Sequence, residues 1–178
     1  MRNIFLISIT AFLFFSSCDI QEKLDKIATF DIRNSAEFTV PSASGINIPL
    51  DFPTPDINTS SEQSFENNNT SANLVENVNL TDLKLTITSP DGRTFSFLKS
   101  LEIYIHNNSE GSTLIAEIQD IPDNVGSVLD LQTTEANLDE YIKEDSYSLQ
   151  FEAVTDETTN SETDISAEMI FEVKAKIL

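Results

Sequence analysis

The feature that most constrains this chain is an alternation of apolar and mostly polar residues at its C-terminal end. Apolar side chains occupy every second position there: Ile165, Ala167, Met169, Phe171, Val173, Ala175 and Ile177. Successive side chains of a β-strand point to opposite faces, so a period of two places all of these on one face. The pattern therefore predicts an antiparallel strand with a core on one side and mostly water on the other.

The same alternation recurs in shorter runs along the chain. Between Val78 and Ile87 its phase shifts by one residue at Thr81 and Asp82, as a β-bulge would shift it. A second break, a bulge or a bend, falls at 98–100. The other strand candidates lie at 28–40, 95–105, 114–118, 128–131 and 147–153.

Turn residues separate these runs at Ser89–Arg93 and Asn107–Gly111. Prolines make the stretch 48–56 an edge segment or a loop, because proline cannot donate to a central ladder. About seven to nine short strands with such spacing predict an all-β fold, an antiparallel β-sandwich of Ig-like architecture. A small barrel is the alternative. The chain has one cysteine and no tryptophan, so "Ig-like" describes only the layout.

Helical signals are sparse. Thr134 can cap a helix whose Leu138, Tyr141 and Ile142 lie at helical spacing, so we expect at most one short helix near residues 134–142. The polar stretch from Ser60 to Asn73 reads as a loop. We expect residues 27–178 to form a single β-sandwich domain.

The N-terminus carries a different signal. Arg2 precedes an apolar run from Ile4 to Phe15, followed by Ser16 and Ser17. This run of twelve residues is too short for a membrane span, which needs ~20. Residues 1–17 are therefore predicted to be a secretory signal peptide.

The segment from Phe15 to Cys18 resembles the lipobox of bacterial lipoproteins, in which a large apolar residue and two small ones precede a lipidated cysteine. The resemblance implies cleavage before Cys18, lipid on its thiol and a tether over residues 18–26. An ordinary signal peptide with an incidental cysteine is the alternative. The implied location is the cell envelope, anchored to the outer membrane and facing the periplasm or the surface, with the inner membrane not excluded.

The region after the tether is similar to small uncharacterised lipoproteins of Bacteroidota. The similarity lies in the segments Leu85–Gly92, Phe97–Ile105 and Val154–Thr158, which are strand and turn patterns. Such proteins have no assigned activity that the resemblance could imply for this chain.

The net charge of the chain restricts which molecules it can bind. With 30 Asp and Glu against 10 Lys and Arg, the net charge is −20. Phosphate repels so acidic a body, so we expect no nucleic acid partner and no direct adsorption to anionic lipid. The membrane would be a partner only through lipid on Cys18, beside an envelope protein of unknown identity.

Catalytic signatures are absent from the sequence. His106 is the only histidine, no Gly-x-Ser-x-Gly motif occurs, and four glycines form no phosphate loop. We therefore predict a non-enzymatic adaptor, structural or ligand-binding module without a cofactor. A calcium-dependent adhesion module is one alternative, with weak candidate ligands at Asp156, Glu157 and Asp164. A hydrolase that uses carboxylates is the less favoured one.

Overall fold

The computed structural model describes residues 26–42, 45–47 and 49–178. The predicted signal peptide, Cys18 and the tether up to Asp25 lie outside these described residues. Within them the chain forms ten strands: β1 (Ile27–Val40), β2 (Pro49–Pro53), β3 (Ile57–Asn58), β4 (Val75–Ser89), β5 (Leu98–Asn107), β6 (Gly111–Ile118), β7 (Val128–Asp130), β8 (Gln132–Thr133), β9 (Ser146–Thr155) and β10 (Thr163–Lys176).

Short helices interrupt the strands at four places. Two are α-helical, α1 (Ser61–Asn67) and α2 (Asp139–Ile142), and two are 3-10 turns, Ala72–Leu74 and Phe95–Phe97. No helix in the described residues is long and apolar enough to cross a membrane.

The strands pack as two antiparallel sheets. The first has the order β1-β10-β4-β7, and the second has the order β2-β9-β5-β6-β8, with β3 also pairing with β9. The predicted all-β sandwich is thereby confirmed. The chain passes from sheet to sheet between most consecutive strands, which is the order of a jelly roll and differs from the immunoglobulin order.

The core lies between the two sheets and follows the predicted alternation. Along β10 every second residue from Thr163 to Ala175 is buried, and the residues between them are exposed or half-buried. On the second sheet, Tyr147, Leu149, Phe151 and Ala153 of β9 are buried in the same manner. A period of two thus separates core from surface in both layers.

The two predicted breaks in the strand alternation are confirmed as register shifts between paired strands. The pairing of β4 with β10 shifts between Leu80 and Asp82, which leaves Thr81 as the extra residue of a bulge. The pairing of β5 with β9 shifts at Lys99, the second predicted break. The turn at Ser89–Arg93 contains Gly92 at φ +76°.

Three local predictions were wrong. Residues 60–73 are not a plain loop, because they contain α1 and a 3-10 turn, so the domain has two short α-helices and not one at most. Phe95 and Phe97 lie in a 3-10 turn and not in a strand, although both are buried. The alternation expected over 114–118 is broken in β6, because a register shift buries both Ile115 and Ala116 and leaves Leu114 half-buried.

A buried aromatic side chain explains α1. Phe65 is 3% exposed and its ring meets that of Phe30 edge-on at 6.4 Å. A seven-residue helix is too short to show a helical period in the sequence, and burial of one aromatic residue stabilises it instead.

Candidate functional site

A sizeable concavity lies at the end of the sandwich that carries both α-helices. It is a groove of about 490 Å³ between α1, the following segment up to Asn73, and the connection from α2 to β9. Its lining residues are Thr59, Glu62, Phe65, Glu66, Thr70, Ser71, Ala72, Asn73, Lys143, Glu144 and Asp145. We refer to it as the helical groove.

Thr59 joins the two walls of the helical groove. Its hydroxyl donates a hydrogen bond to the Glu144 carbonyl at 2.8 Å, and its backbone N–H donates to the Asp145 carbonyl at 3.0 Å. The side chain is 2% exposed, so these bonds are shielded from water. Phe65 packs at the base of the other wall, and the groove is therefore held by the core as well as by backbone contacts.

Charge in the helical groove is mainly negative. Glu62, Glu66, Glu144 and Asp145 line it together with one cation, Lys143. The Lys143 ammonium lies 2.7 Å from the Asp139 carboxylate and 3.0 Å from that of Glu140. Partial burial lowers the pKa of Lys143, but hydrogen bonds to these two carboxylates outweigh it and raise the pKa above the usual value.

A second depression of about 350 Å³ adjoins the helical groove and shares Glu144 and Asp145 with it. It holds the only histidine of the chain, His106, whose Nδ1 lies 3.0 Å from the Ser112 hydroxyl oxygen. Asn107 closes the neighbouring turn, because its side-chain oxygen accepts from the backbone N–H groups of Ser109 and Glu110. His106, near the end of β5, is thus engaged with its cross-strand partner Ser112 on β6.

The chain termini of the domain meet at the same end. The Thr70 hydroxyl donates to the Lys176 carbonyl at 2.6 Å, and the Leu178 N–H donates to the Asn69 carbonyl at 2.9 Å. The Ile177 N–H donates to the Lys26 carbonyl at 2.9 Å. The predicted tether therefore enters the domain beside the helical groove.

The calcium candidates lie at the opposite end, in and around the β9–β10 loop. The Asp164 carboxylate accepts from the Thr39 hydroxyl at 2.7 Å. Glu157 lines a depression beside the Ser89–Arg93 turn, and Asp156 has a buried carboxylate oxygen without a hydrogen-bond partner among the described residues. Nowhere in the described ranges do three His, Cys, Asp or Glu side chains gather as a metal would require.

An unpredicted row of carboxylates crosses the outer face of the second sheet. Asp51, Glu152, Glu102 and Glu117 are successive cross-strand partners on β2, β9, β5 and β6. Glu102 accepts a hydrogen bond from the Tyr104 hydroxyl at 2.7 Å. This bond, assisted by partial desolvation and by the surrounding negative charge, raises the pKa of Tyr104 to about 12.

The row could not be read from the sequence, because it depends on the register of strands that are distant along the chain. Its four members come from three separated segments of sequence. Like charges directly opposite one another destabilise a sheet, so side-chain hydrogen bonds matter here. Glu102 accepts the bond from Tyr104, and Asp51 accepts one from the Gln150 side chain at 3.1 Å.

Comparison with known proteins adds little to this description. No protein-family model matches the chain, and no curated protein matches it. Among solved structures, the chain is similar to the decameric BFDV capsid protein with a TM-score of 0.40, at 10% identity over 85% of this chain and 100% of that one. It is also similar to a protein of desmodium yellow mottle tymovirus, with a TM-score of 0.28 at 15% identity over 100% of this chain and 98% of the other. These likenesses are too slight to carry an argument about this chain.

Proposed function

We propose that this protein is a lipid-anchored component of a bacterial cell envelope whose β-sandwich acts through its surface, as an adaptor, a structural element or a ligand-binding module. The observation that carries the proposal is the segment Phe15–Cys18 after an export signal. Two or three acyl chains on a cysteine give stable attachment, whereas one holds a protein only marginally.

The architecture supports a tethered body. Cys18 lies eight residues before Lys26, which is the first residue that the structure describes and which hydrogen-bonds to Ile177 of the sandwich. At most ~3.3–3.6 Å per residue, this segment spans no more than about 29 Å. The lipid would therefore hold the body near the bilayer, while the charge of −20 keeps it from adsorbing to anionic headgroups.

Surface action is supported by the way the carboxylates are used. Glu168 pairs with Lys84 at 2.6 Å on the outer face of the first sheet, and Asp139 pairs with Lys143 at 2.7 Å. Glu102 and Asp51 likewise accept hydrogen bonds from neighbouring side chains. These carboxylates therefore contact other side chains of the protein surface. A surface of this kind suits contact with another envelope protein better than proton transfer.

Replacement of the anchor residue tests the proposal. Cells producing Cys18→Ser should release folded protein into the soluble fraction and should not incorporate labelled palmitate into it. Asp25→Asn, a conservative change within the predicted tether, is the matched control and should stay in the membrane fraction and be labelled. A Cys18→Ser protein that still sediments with membranes through detergent-free washing would overturn the lipoprotein assignment.

A calcium-binding role is the second candidate, and the unpartnered oxygen of Asp156 is the observation that favours it. Calcium takes carboxylate and carbonyl oxygens from flexible loops, and a buried acceptor without a donor can serve as one ligand. Millimolar calcium should then raise the melting temperature of the wild-type protein but not that of Asp156→Asn. Equal melting temperatures with calcium and with a chelator would refute this role.

A further inference from the structure

The free edges of the two sheets differ greatly in length. The first sheet ends in β7, three residues long, and the second ends in β8, two residues long, and in β2, five residues with a proline at each end. Short strands and prolines are ordinary means of blocking edge-to-edge association. The remaining edge strand, β1, has fourteen residues and no proline.

The β1 edge is also regular. Its fourteen residues pair with β10 without a single register shift, so no bulge twists the edge away from a partner. Apart from β10, the described part of the chain offers no backbone hydrogen-bond partner to β1 from Ile27 to Val40. About half of its residues therefore present a backbone N–H and C=O that no described residue pairs with, along a strand of roughly 46 Å that has β3 beside part of it.

The side chains of β1 favour a second copy of the same strand as the occupant. Its outward face carries Asp31, Arg33 and Glu37, and Arg33 is the only cation among them. Antiparallel pairing about a two-fold axis at Ile32 places Arg33 of each copy opposite Asp31 of the other. If the axis lay one residue earlier, the Asp31 residues of the two copies would face each other, and if it lay one residue later, the two Arg33 residues would. Both arrangements place like charges opposite each other and are unfavourable.

A second register would place Arg33 of each copy opposite Glu37 of the other. The exposed apolar surface at the start of β1 favours the register about Ile32 over this one. Ile27 is 57% exposed, and Ala28 and Phe30 are half-buried, whereas the apolar residues toward Val40 are buried. The axis at Ile32 pairs residues 27–37 and so covers this exposed end. Pairing through Glu37 would leave Ile27 and Ala28 uncovered.

From these observations we propose that β1 of two copies pairs antiparallel about Ile32, joining the two four-stranded sheets into one eight-stranded sheet. The interface is isologous, because each copy contributes the same strand to a two-fold contact. Its affinity comes from main-chain hydrogen bonds, and its register comes from the reciprocal Arg33–Asp31 pairs. Lipid on Cys18 plays no part in it.

Cysteine crosslinking tests the register in the full chain carrying Cys18→Ser. In the proposed register Thr29 faces Ser35 of the other copy, at a distance that a disulfide can bridge. Within one chain these positions are about 20 Å apart, so they cannot join to each other. Under mild oxidation the double variant Thr29→Cys/Ser35→Cys should give covalent dimers and each single variant should not. Dimers from Ser35→Cys alone would indicate the register through Glu37 and overturn the assignment.

Charge exchange tests the pairing without a covalent bond. In sedimentation velocity Arg33→Asp should weaken dimerisation about tenfold, because it replaces two attractive contacts with two repulsive ones. Asp31→Arg/Arg33→Asp should restore it by exchanging the partners. Arg93→Asp makes the same change in net charge in a turn distant from β1 and should leave the dimer intact. A wild-type chain that stays monomeric up to about 100 µM, where pairing of micromolar affinity is nearly complete, would refute the proposal.

Discussion

Phe151 gives the sharpest test of how the sandwich is held together. Its ring is 1% exposed and lies between those of two edge strands, 4.2 Å from Phe38 of β1 and 5.3 Å from Phe52 of β2, with which it is stacked. Phe38 and Phe52 are themselves 5.8 Å apart. The three rings therefore join the two sheets at the side of the sandwich where β1 and β2 are the edge strands.

The expected cost of Phe151→Ala follows from this packing. Truncating a buried phenylalanine costs about 3–5 kcal/mol, and each aromatic pair adds ~0.5–1.5 kcal/mol beyond burial, so we expect a loss near the top of that range. A urea m-value of about 2 kcal/mol/M converts a loss of 4–5 kcal/mol into a midpoint shift of roughly 2 M. The m-value should not change, because the fold is retained.

Phe30→Ala is the matched control for this experiment. Phe30 is half-buried at the other end of β1, and among the described residues its ring contacts only that of Phe65, at 6.4 Å. Its truncation should cost only about 1–2 kcal/mol. If Phe151→Ala costs no more than Phe30→Ala in urea denaturation, then the three rings do not join the sheets and the reasoning fails.

Three further predictions concern single side chains. Gly111 has φ +80° with open space around it, so Gly111→Ala should cost about 1 kcal/mol in thermal denaturation, whereas Gly126→Ala, at an ordinary φ and equally open, should not destabilise. Because its pKa is raised to about 12 mainly by the bond to Glu102, Tyr104 stabilises the fold below pH ~10, and this contribution disappears as the pH rises toward 12. Absorbance titration of tyrosinate should show its midpoint falling toward 10 in Glu102→Gln, and an unchanged midpoint would contradict that cause. Tyr147→Phe removes a buried hydroxyl that lies 3.0 Å from the Asn34 side chain, so unfolding in urea should show a loss of about 1–2 kcal/mol, and no loss would mean that water replaces the bond.

Features that depend on local sequence were predictable here. The alternation from Ile165 to Ala175 predicted the buried face of β10, and the phase shift at Thr81 predicted the bulge in β4. Each is a property of a few consecutive residues, because side-chain direction in a strand is fixed by the backbone itself.

Features that depend on pairing between distant segments were not predictable. Whether β4 hydrogen-bonds to β5 or to β10 leaves the alternation of β4 unchanged, so the jelly-roll order carried no signal in the sequence. The carboxylate row from Asp51 to Glu117 has the same cause, since each member is an ordinary outward-facing residue of its own strand. The helical groove combines α1, which is too short to show a period, with a connection defined only by its contacts to Thr59.

The proposed lipid anchor and the proposed β1 pairing constrain each other. In the antiparallel dimer the two Ile27 residues lie at opposite ends of an overlap of eleven residues, about 34 Å apart. A tether of at most about 29 Å cannot make up this separation if the β1 strands stand upright on the bilayer, so both lipids reach one bilayer only when the strands are inclined toward its surface. Deleting residues 20–24 reduces this reach to roughly 10 Å while leaving β1 intact. The shortened protein should still dimerise in detergent but should crosslink poorly through Thr29→Cys/Ser35→Cys on membranes, with wild-type-length protein as the control. Equal crosslinking on membranes at both lengths would contradict this expectation and show that the β1 strands lie nearly flat on the surface, where a short reach suffices.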